Sequence, residues 1–299
     1  MKKKLLKLVL FTVTSFLIVL VTCSICYATN DYIIGYSIDS NGNESNIYYH
    51  DTIGYNQLQT SGLNFSDVDI DENSNTRQVI GTDDRVVVPN NSMTSYPYRM
   101  VCRIEVKYDE EPNVVYLGTG FLVGPSTIMT ACHVVYDAAY GFFNSISFAF
   151  GAYKDDTTGL MVYPYGKITS WSSASVGSYY GTGSTNDDWA IIDLNSDIGN
   201  TIGYFGLTAS LSDNDSLRLY GYSGDLDGNL AYSDGVASSV QTYKFNHTCD
   251  TTGGASGAPV CVNNVVVAGI HHGKYENINS ACKISSYIVG WIDERINGD

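Results

Sequence analysis

The chain has 299 residues, 44% hydrophobic and 16% charged, so it can bury a sizeable core and is neither a disordered polyelectrolyte nor a many-pass membrane protein. Sixteen Lys and Arg stand against 31 Asp and Glu, a formal net charge of -15, and no positive cluster is visible that could track a nucleic-acid backbone. With 24 Tyr, 29 Gly and 6 Pro, and many short runs of Thr, Ser, Val and Ile, the composition predicts a β-rich fold.

Lys2, Lys3, Lys4 and Lys7 precede an apolar stretch from Leu8 to Val21, and small residues follow at Ser24 and Ala28. This pattern predicts a secretory signal over residues 1–28. The alternatives are a retained anchor, for which 14 apolar-run residues fall short of the ~20 a spanning helix needs, and a lipid on Cys23, for which Thr22 is a poor preceding residue. Residues 29–77 carry eight acids and one base, Arg77, with no sustained apolar periodicity. They read as an acidic pro-segment or flexible arm, in which Asp67 to Glu72 is a solvated acidic face rather than a metal site. Residues 78–299 remain as the folded domain, with 11 bases and 23 acids.

That domain reads as a series of short strands. In Met100 to Lys107, Cys102, Ile104 and Val106 alternate with Arg103, Glu105 and Lys107, a period of two with one buried face. Apolar runs follow at Gly120 to Val123, Ser126 to Ala131, Ser145 to Phe150, Trp189 to Leu194, Leu217 to Tyr222, Ala258 to Val262 and Val265 to Ile270. Gly, Asn, Asp and Ser punctuate them, as in an antiparallel barrel or sandwich. Only the end is helical by pattern: Ser285 can cap a segment in which Ile288, Trp291, Ile292 and Ile296 share a face. Five cysteines follow the signal, at 102, 132, 249, 261 and 282. An odd number cannot all pair within the chain; Cys261 with Cys282 is the first choice for a bridge, and buried unpaired thiols are the equal alternative.

Three stretches carry chemistry. In Gly253-Gly254-Ala255-Ser256-Gly257, flanking glycines permit positive φ and close substrate approach, so the turn can supply a nucleophile and amides for an oxyanion together. In Ser126 to Val135 a strand ends in His133 among small residues, and imidazole has the pKa to take a serine proton near neutral pH. Cys132 as nucleophile with His133 as its base is poor geometry, since adjacent strand residues point to opposite faces. In Asn186 to Leu194 an acid leads into a buried strand, where a carboxylate persists only if paired or hydrogen-bonded. Asp188, nearest the strand, is the choice as the histidine's partner, and Asp187 is a turn or capping residue.

The order His133, Asp188, Ser256, with TACH (130–133), NDDWAIIDL (186–194) and TTGGASGAPV (251–260) around them, resembles the chymotrypsin-fold serine peptidases and, within them, the V8-like glutamyl endopeptidases. VIGTDDR (79–85), YPYG (163–166) and GNTIGYFG (199–206) are also similar to that family, so the likeness spans almost all of the domain. The resemblance implies an all-β, chymotrypsin-like pair of six-stranded antiparallel barrels with a C-terminal α-helix and a cleft between the barrels. It implies His133 as general base, Asp188 as its orienting partner and Ser256 as nucleophile, with the amides of Gly254 and Ser256 as the oxyanion hole. Cys132 stands where many relatives have Gly or Ala, Gly118 where some have cysteine, and His272, just after His271, is not the usual neighbour there.

The strand Val265 to Gly273 resembles the one that lines the family's primary pocket, where His271 matches the histidine that meets a substrate carboxylate and Thr251 a hydroxyl of the same pocket. An imidazolium and a hydroxyl suit a glutamate side chain through charge-assisted hydrogen bonds. Alternation sends His271 and His272 to opposite faces, which makes His272 the weaker pocket candidate. Arg77 followed by Gln78 looks like a processing boundary, since in this family the released α-amino group adds charge to the pocket. No HExxH is present, and Asp225 to Asn229 is a hairpin tip rather than a calcium loop, so neither metal nor cofactor is expected. The expectation is a secreted, monomeric serine endopeptidase made as an inactive precursor. It would cut protein or peptide substrates after Glu, and more slowly after Asp, bind no nucleic acid and have no stable membrane association once the signal is removed. A narrow, exfoliative-toxin-like specificity or a non-catalytic binding homologue are the alternatives.

Overall fold

The computed structural model describes residues 32–49, 79–137, 139–177, 187–275 and 277–297. The signal over 1–28, the acidic run Asp67 to Glu72, the Arg77–Gln78 boundary and Asn186 lie outside the described residues. The chain divides into two compact units. One, Met1–Tyr32 with Tyr48–Asn64, lies almost wholly outside the described residues; the other is Ile33–Ile47 with Phe65–Asp299.

Two antiparallel sheets organise this unit. The first is built from β3 (Val101–Lys107), β4 (Tyr116–Leu122), β5 (Thr127–Thr130), β6 (Ser145–Phe150), β7 (Trp171–Gly177) and β8 (Ala190–Leu194), in the spatial order β7-β8-β5-β4-β3-β6. The alternation at Cys102, Ile104 and Val106 puts all three at full burial, where they meet Phe121, Ile128, Met129, Phe148 and Ile191, each also fully buried. Each such side chain contributes about 1.5–3 kcal/mol by leaving water. The period-two pattern is therefore energetic in origin: a register slip of one residue would turn this set outward.

The second sheet contains β9 (Ser216–Tyr222), β10 (Leu230–Ser238), β11 (Lys244–His247), β12 (Pro259–Val262), β13 (Val266–Tyr275) and β14 (Ile278–Lys283). They run β13-β12-β9-β10-β11-β14, and β13 also pairs with β14, so these six strands close into a ring. Closure removes the exposed strand edges that would otherwise invite pairing with other chains. Leu217, Leu219, Phe245, Val260 and Ala281 fill it. Gly269 of β13 is required there: a Cβ would meet the Phe245 ring at 2.3 Å. The C-terminal helix (Ser286–Asn297) starts where the sequence predicts, with the Ser285 hydroxyl accepting the Ile288 amide at 3.3 Å, and it buries Ile288 and Ile292.

Three expectations need correction. Cys261 and Cys282 are not bridged; all five cysteines of the domain are buried thiols outside any disulfide. Cys261 lies opposite Val267 and Cys282 opposite Ile270, and both pack as small hydrophobes in the cluster that holds those two residues, on the strand face away from Val260 and Ala281. Residues 32–49 of the predicted pro-segment or flexible arm are not irregular: they form the strands β1 (Tyr32–Asp39) and β2 (Glu44–Tyr49), and β1 pairs with β7 from Gly35 opposite Gly177 to Asp39 opposite Ser173. The Asp39 carboxylate accepts the Asn41 and Asn43 amides at 2.8 and 2.9 Å and so makes the turn, while Tyr36 and Ile38 pack on the core. Finally, the strand before His133 ends at Thr130, and Cys132–Val135 is one helical turn, α1. The strand argument that set Cys132 and His133 on opposite faces does not apply. Cys132 is excluded instead by full burial, which pushes its thiol pKa well above the ordinary value, with the Asp188 carboxylate adding to the effect.

Candidate active site

His133 is carried on α1 just past the end of β5, and Asp188 sits two residues before β8, the neighbour of β5 in the sheet. Pairing of those strands brings the two side chains together. Asp188 is 2% exposed. Its Oδ2 meets His133 Nδ1 at 2.8 Å and its Oδ1 accepts the His133 backbone amide at 3.1 Å. Two bonds to one residue fix both the position and the ring orientation of the imidazole. Burial alone would raise the Asp188 pKa, but the imidazole beside it outweighs burial and holds the carboxyl below its ordinary value. For His133 burial opposes the charged form, yet Asp188 wins and the pKa is raised. His133 keeps 37% of its side chain open to solvent, so the nitrogen not committed to Asp188 is reachable. Asp187, the rejected acid, contributes its carbonyl to the Trp189 amide at 2.8 Å.

The Ser256 turn lies between β11 and β12 and is tied to the first barrel. The Thr119 amide donates to the Ser256 carbonyl at 2.8 Å, and the Thr119 hydroxyl donates to the Gly254 carbonyl at 2.8 Å. Gly257 has φ of +85°, and a Cβ there would meet Thr130 Oγ1 at 2.1 Å and the Thr119 carbonyl at 2.2 Å. Glycine at 257 therefore lets the serine turn press against the end of β5, three residues from His133. Gly254 has φ of +100°. The amides of Ala255 and Gly257 are used, by the carbonyls of Thr252 and His271. Among the described residues, those of Gly254 and Ser256 donate to no protein acceptor, and the half-buried Ser256 hydroxyl makes no hydrogen bond to the imidazole. Two uncommitted amides bounding a serine are what an oxyanion site requires.

His271 and Thr251 are buried at 3% and 1% exposure. Thr251 Oγ1 donates to Asn279 Oδ1 at 3.2 Å, and Asn279 in turn donates to the Cys249 carbonyl at 2.8 Å. His271 Nδ1 lies 3.1 Å from His247 Nε2, with the rings edge to face, which leaves His271 Nε2 uncommitted to that pair. Burial, then the neighbouring imidazoles, push His271 well below its ordinary pKa; burial takes His247 down to about 3. Both are neutral at pH 7, so the unliganded His271 is not the imidazolium expected from the sequence. His247 and Asn279 escaped sequence reasoning, although they face each other across β11 and β14.

The start of the domain is fastened to the same region. Asp250, next to Thr251, is 2% exposed and accepts the Ile80 and Asp84 amides at 2.7 and 2.9 Å. Arg85 donates to both oxygens of Asp225 at 2.9 and 2.8 Å and to Thr252 Oγ1 at 2.9 Å, which confirms the Asp225 segment as a hairpin tip between β9 and β10. Among the described residues no group of three or more His, Cys, Asp or Glu is placed to hold a metal ion, and no helix is long and apolar enough to cross a membrane.

Two β-barrel sheets, an acid-locked histidine at the end of a strand of one, and a glycine-bounded serine turn in the other define the chymotrypsin-type serine peptidase scaffold. The family pattern described as a trypsin-like peptidase domain matches residues 118–270, and the chain belongs to that family, in its V8-like branch. It is similar to a glutamyl endopeptidase of Bacillus licheniformis, 35% identical over 187 residues, covering 62% of this chain and 54% of the relative. It is also similar to a Bacillus subtilis protein named extracellular metalloprotease, 34% identical over 202 residues, covering 65% of this chain and 62% of the relative. The chain thus spans less than two thirds of the length of these curated relatives. A solved Glu endopeptidase in complex with MPD superposes with a TM-score of 0.62 and 25% identity, covering 73% of this chain and 99% of that one.

Proposed function

We propose that the protein is a secreted serine endopeptidase that cleaves on the carboxyl side of glutamate, and of aspartate more slowly, through an acyl-enzyme on Ser256. The observation that carries this reading is the His133–Asp188 pair at 2.8 Å beside a serine turn in which the Gly254 and Ser256 amides are uncommitted. In the first step His133 Nε2 takes the Ser256 hydroxyl proton as the oxygen attacks the scissile carbonyl. The Gly254 and Ser256 amides then receive the oxyanion. The imidazolium, held by Asp188, returns the proton to the leaving amine, and water repeats the sequence to release the acid. Substrates are extended protein or peptide chains, the working enzyme is a monomer, and no metal or cofactor takes part.

Glutamate preference is assigned to His271 and Thr251. An incoming carboxylate at His271 Nε2 favours protonation of that ring, and the resulting Nδ1–H has a ready acceptor in His247 Nε2, which burial keeps neutral. The residues 1–28 act as a secretion signal, and 29–77 as a pro-segment removed near Gln78; Ile80 and Asp84, just past that point, are held by Asp250 beside the pocket. The test is a panel of peptides with Glu, Asp, Gln, Lys or Phe before the scissile bond, hydrolysed by the secreted form. Ser256→Ala should abolish all turnover with an unchanged thermal midpoint, and His271→Ala should lower Glu cleavage far more than Gln cleavage. Turnover retained by Ser256→Ala refutes the nucleophile; a panel led by Lys or Phe refutes the specificity.

A further inference from the structure

Four of the chain's five histidines, at 133, 247, 271 and 272, gather around the buried carboxylate of Asp188 and the pocket beside it, and His272 is the one the mechanism above leaves unused. The strand rule that turns it away from the site fails for a local reason. In the β13–β14 ladder His271 pairs with Ala281 but Gly273 pairs with Ser280, so His272 is an extra residue with no partner opposite. A bulge of this kind breaks the alternation and re-aims a side chain, and bulges concentrate beside active sites for that reason. Gly273, with φ of +147°, supplies the backbone freedom that follows it.

The neighbouring strand reaches the triad acid. Cys282 of β14, opposite Ile270, has its thiol on the Asp188 backbone amide, so this part of the second barrel abuts the triad acid. His272 Nε2 is buried and makes no hydrogen bond. A buried imidazole nitrogen without a partner costs free energy, and the acid whose charge bears on it has acceptor capacity left: Asp188 Oδ1 accepts only the His133 amide and Oδ2 meets only Nδ1. The charged groups that bear on His272 are Asp188 and His133 from the first barrel, Lys244 on β11, and the imidazoles of His247 and His271. Burial pushes its pKa down to about 4, so at neutral pH it is an uncharged ring with one N–H to give.

We propose that His272 is a positioning residue of the catalytic triad, its Nε2–H donating to Asp188 as the site closes on substrate and steadying that carboxylate as the third donor. The inference rests on the triad reading given above. Its consequence has a definite sign. A third donor spreads the charge of Asp188 and weakens its pull on His133; removing the donor should raise the His133 pKa and let the acid shift within its site.

Three variants of the full secreted enzyme test this, with a glutamyl peptide as substrate. Glutamine places an N–H close to where His Nε2 lies, asparagine places one close to Nδ1, and leucine has none. His272→Leu and His272→Asn should each lower kcat about tenfold, the kinetic equivalent of one charge-assisted hydrogen bond, with KM nearly unchanged. Both should move the acid limb of the kcat/KM profile to higher pH, and His272→Gln should restore the rate and the limb. Three variants that fall alike would make the ring a packing element and overturn the proposal, as would three profiles that superpose on the wild type. A wild type that neither cleaves the peptide nor is labelled by a fluorophosphonate would sink the triad reading itself, a result distinct from either.

Discussion

The pair of buried histidines behind the pocket should make the protein acid-labile, and His247 allows the effect to be isolated. In the unfolded chain its pKa is about 6.5; in the folded protein burial lowers it to about 3. Because the folded value is the depressed one, below about pH 6.5 the unfolded chain takes up a proton that the folded protein refuses, and stability falls as pH falls. The slope is roughly 1 kcal/mol per pH unit, or about 3 kcal/mol by pH 4.5. His247→Phe keeps an aromatic ring next to Phe245 and His271 but cannot titrate. In a Ser256→Ala background, which prevents self-digestion, urea unfolding at pH 7 and at about pH 4.5 gives the loss of stability for each form. The loss should be smaller in His247→Phe by about 3 kcal/mol. An identical loss in the two proteins would mean that His247 is already protonated in the folded state, and the buried-pair description would be wrong.

Because His271 is neutral in the free protein, binding of a glutamyl product or inhibitor near pH 7 should draw in a proton. Calorimetry in buffers of different ionisation enthalpy should show that uptake, and His271→Ala should lose it; buffer-independent heats would contradict the pocket assignment. Asp250→Asn weakens the acceptor for the Ile80 and Asp84 amides. It should cost about 1–3 kcal/mol and loosen the segment before Arg85, which hydrogen exchange of those two amides reads directly; protection equal to the wild type would show that the anchor is unnecessary.

Much of the site was legible in the sequence because its signals are local. Period-two burial at Cys102, Ile104 and Val106, the glycines bounding Ser256 and an acid at the mouth of an apolar strand each express a constraint acting within a few residues. What was missed depends on register. His247 and Asn279 become pocket residues only because β11 and β14 pair with those two positions opposed. The bulge that frees His272 is a property of the ladder between two strands, not of either strand alone. The β1–β2 hairpin was partly readable: Asp39 and Asn43 flank Gly42, a turn signal, but its strands are too polar to declare a buried face until Tyr36 and Ile38 find the first barrel. Cysteine counting left a bridge and buried thiols as equal alternatives, because only the packing of the strands decides between them, and it decides for the thiols.

The central claim is that one hydroxyl, activated by one imidazole, forms the covalent intermediate. A fluorophosphonate probe followed by peptide mass mapping tests it most directly, applied to the secreted enzyme and to His133→Ala and Ser256→Ala. The account predicts a single adduct on Ser256 in the wild type, labelling slowed by orders of magnitude in His133→Ala, and none in Ser256→Ala. An adduct on another residue, or equal labelling rates with and without His133, would contradict it.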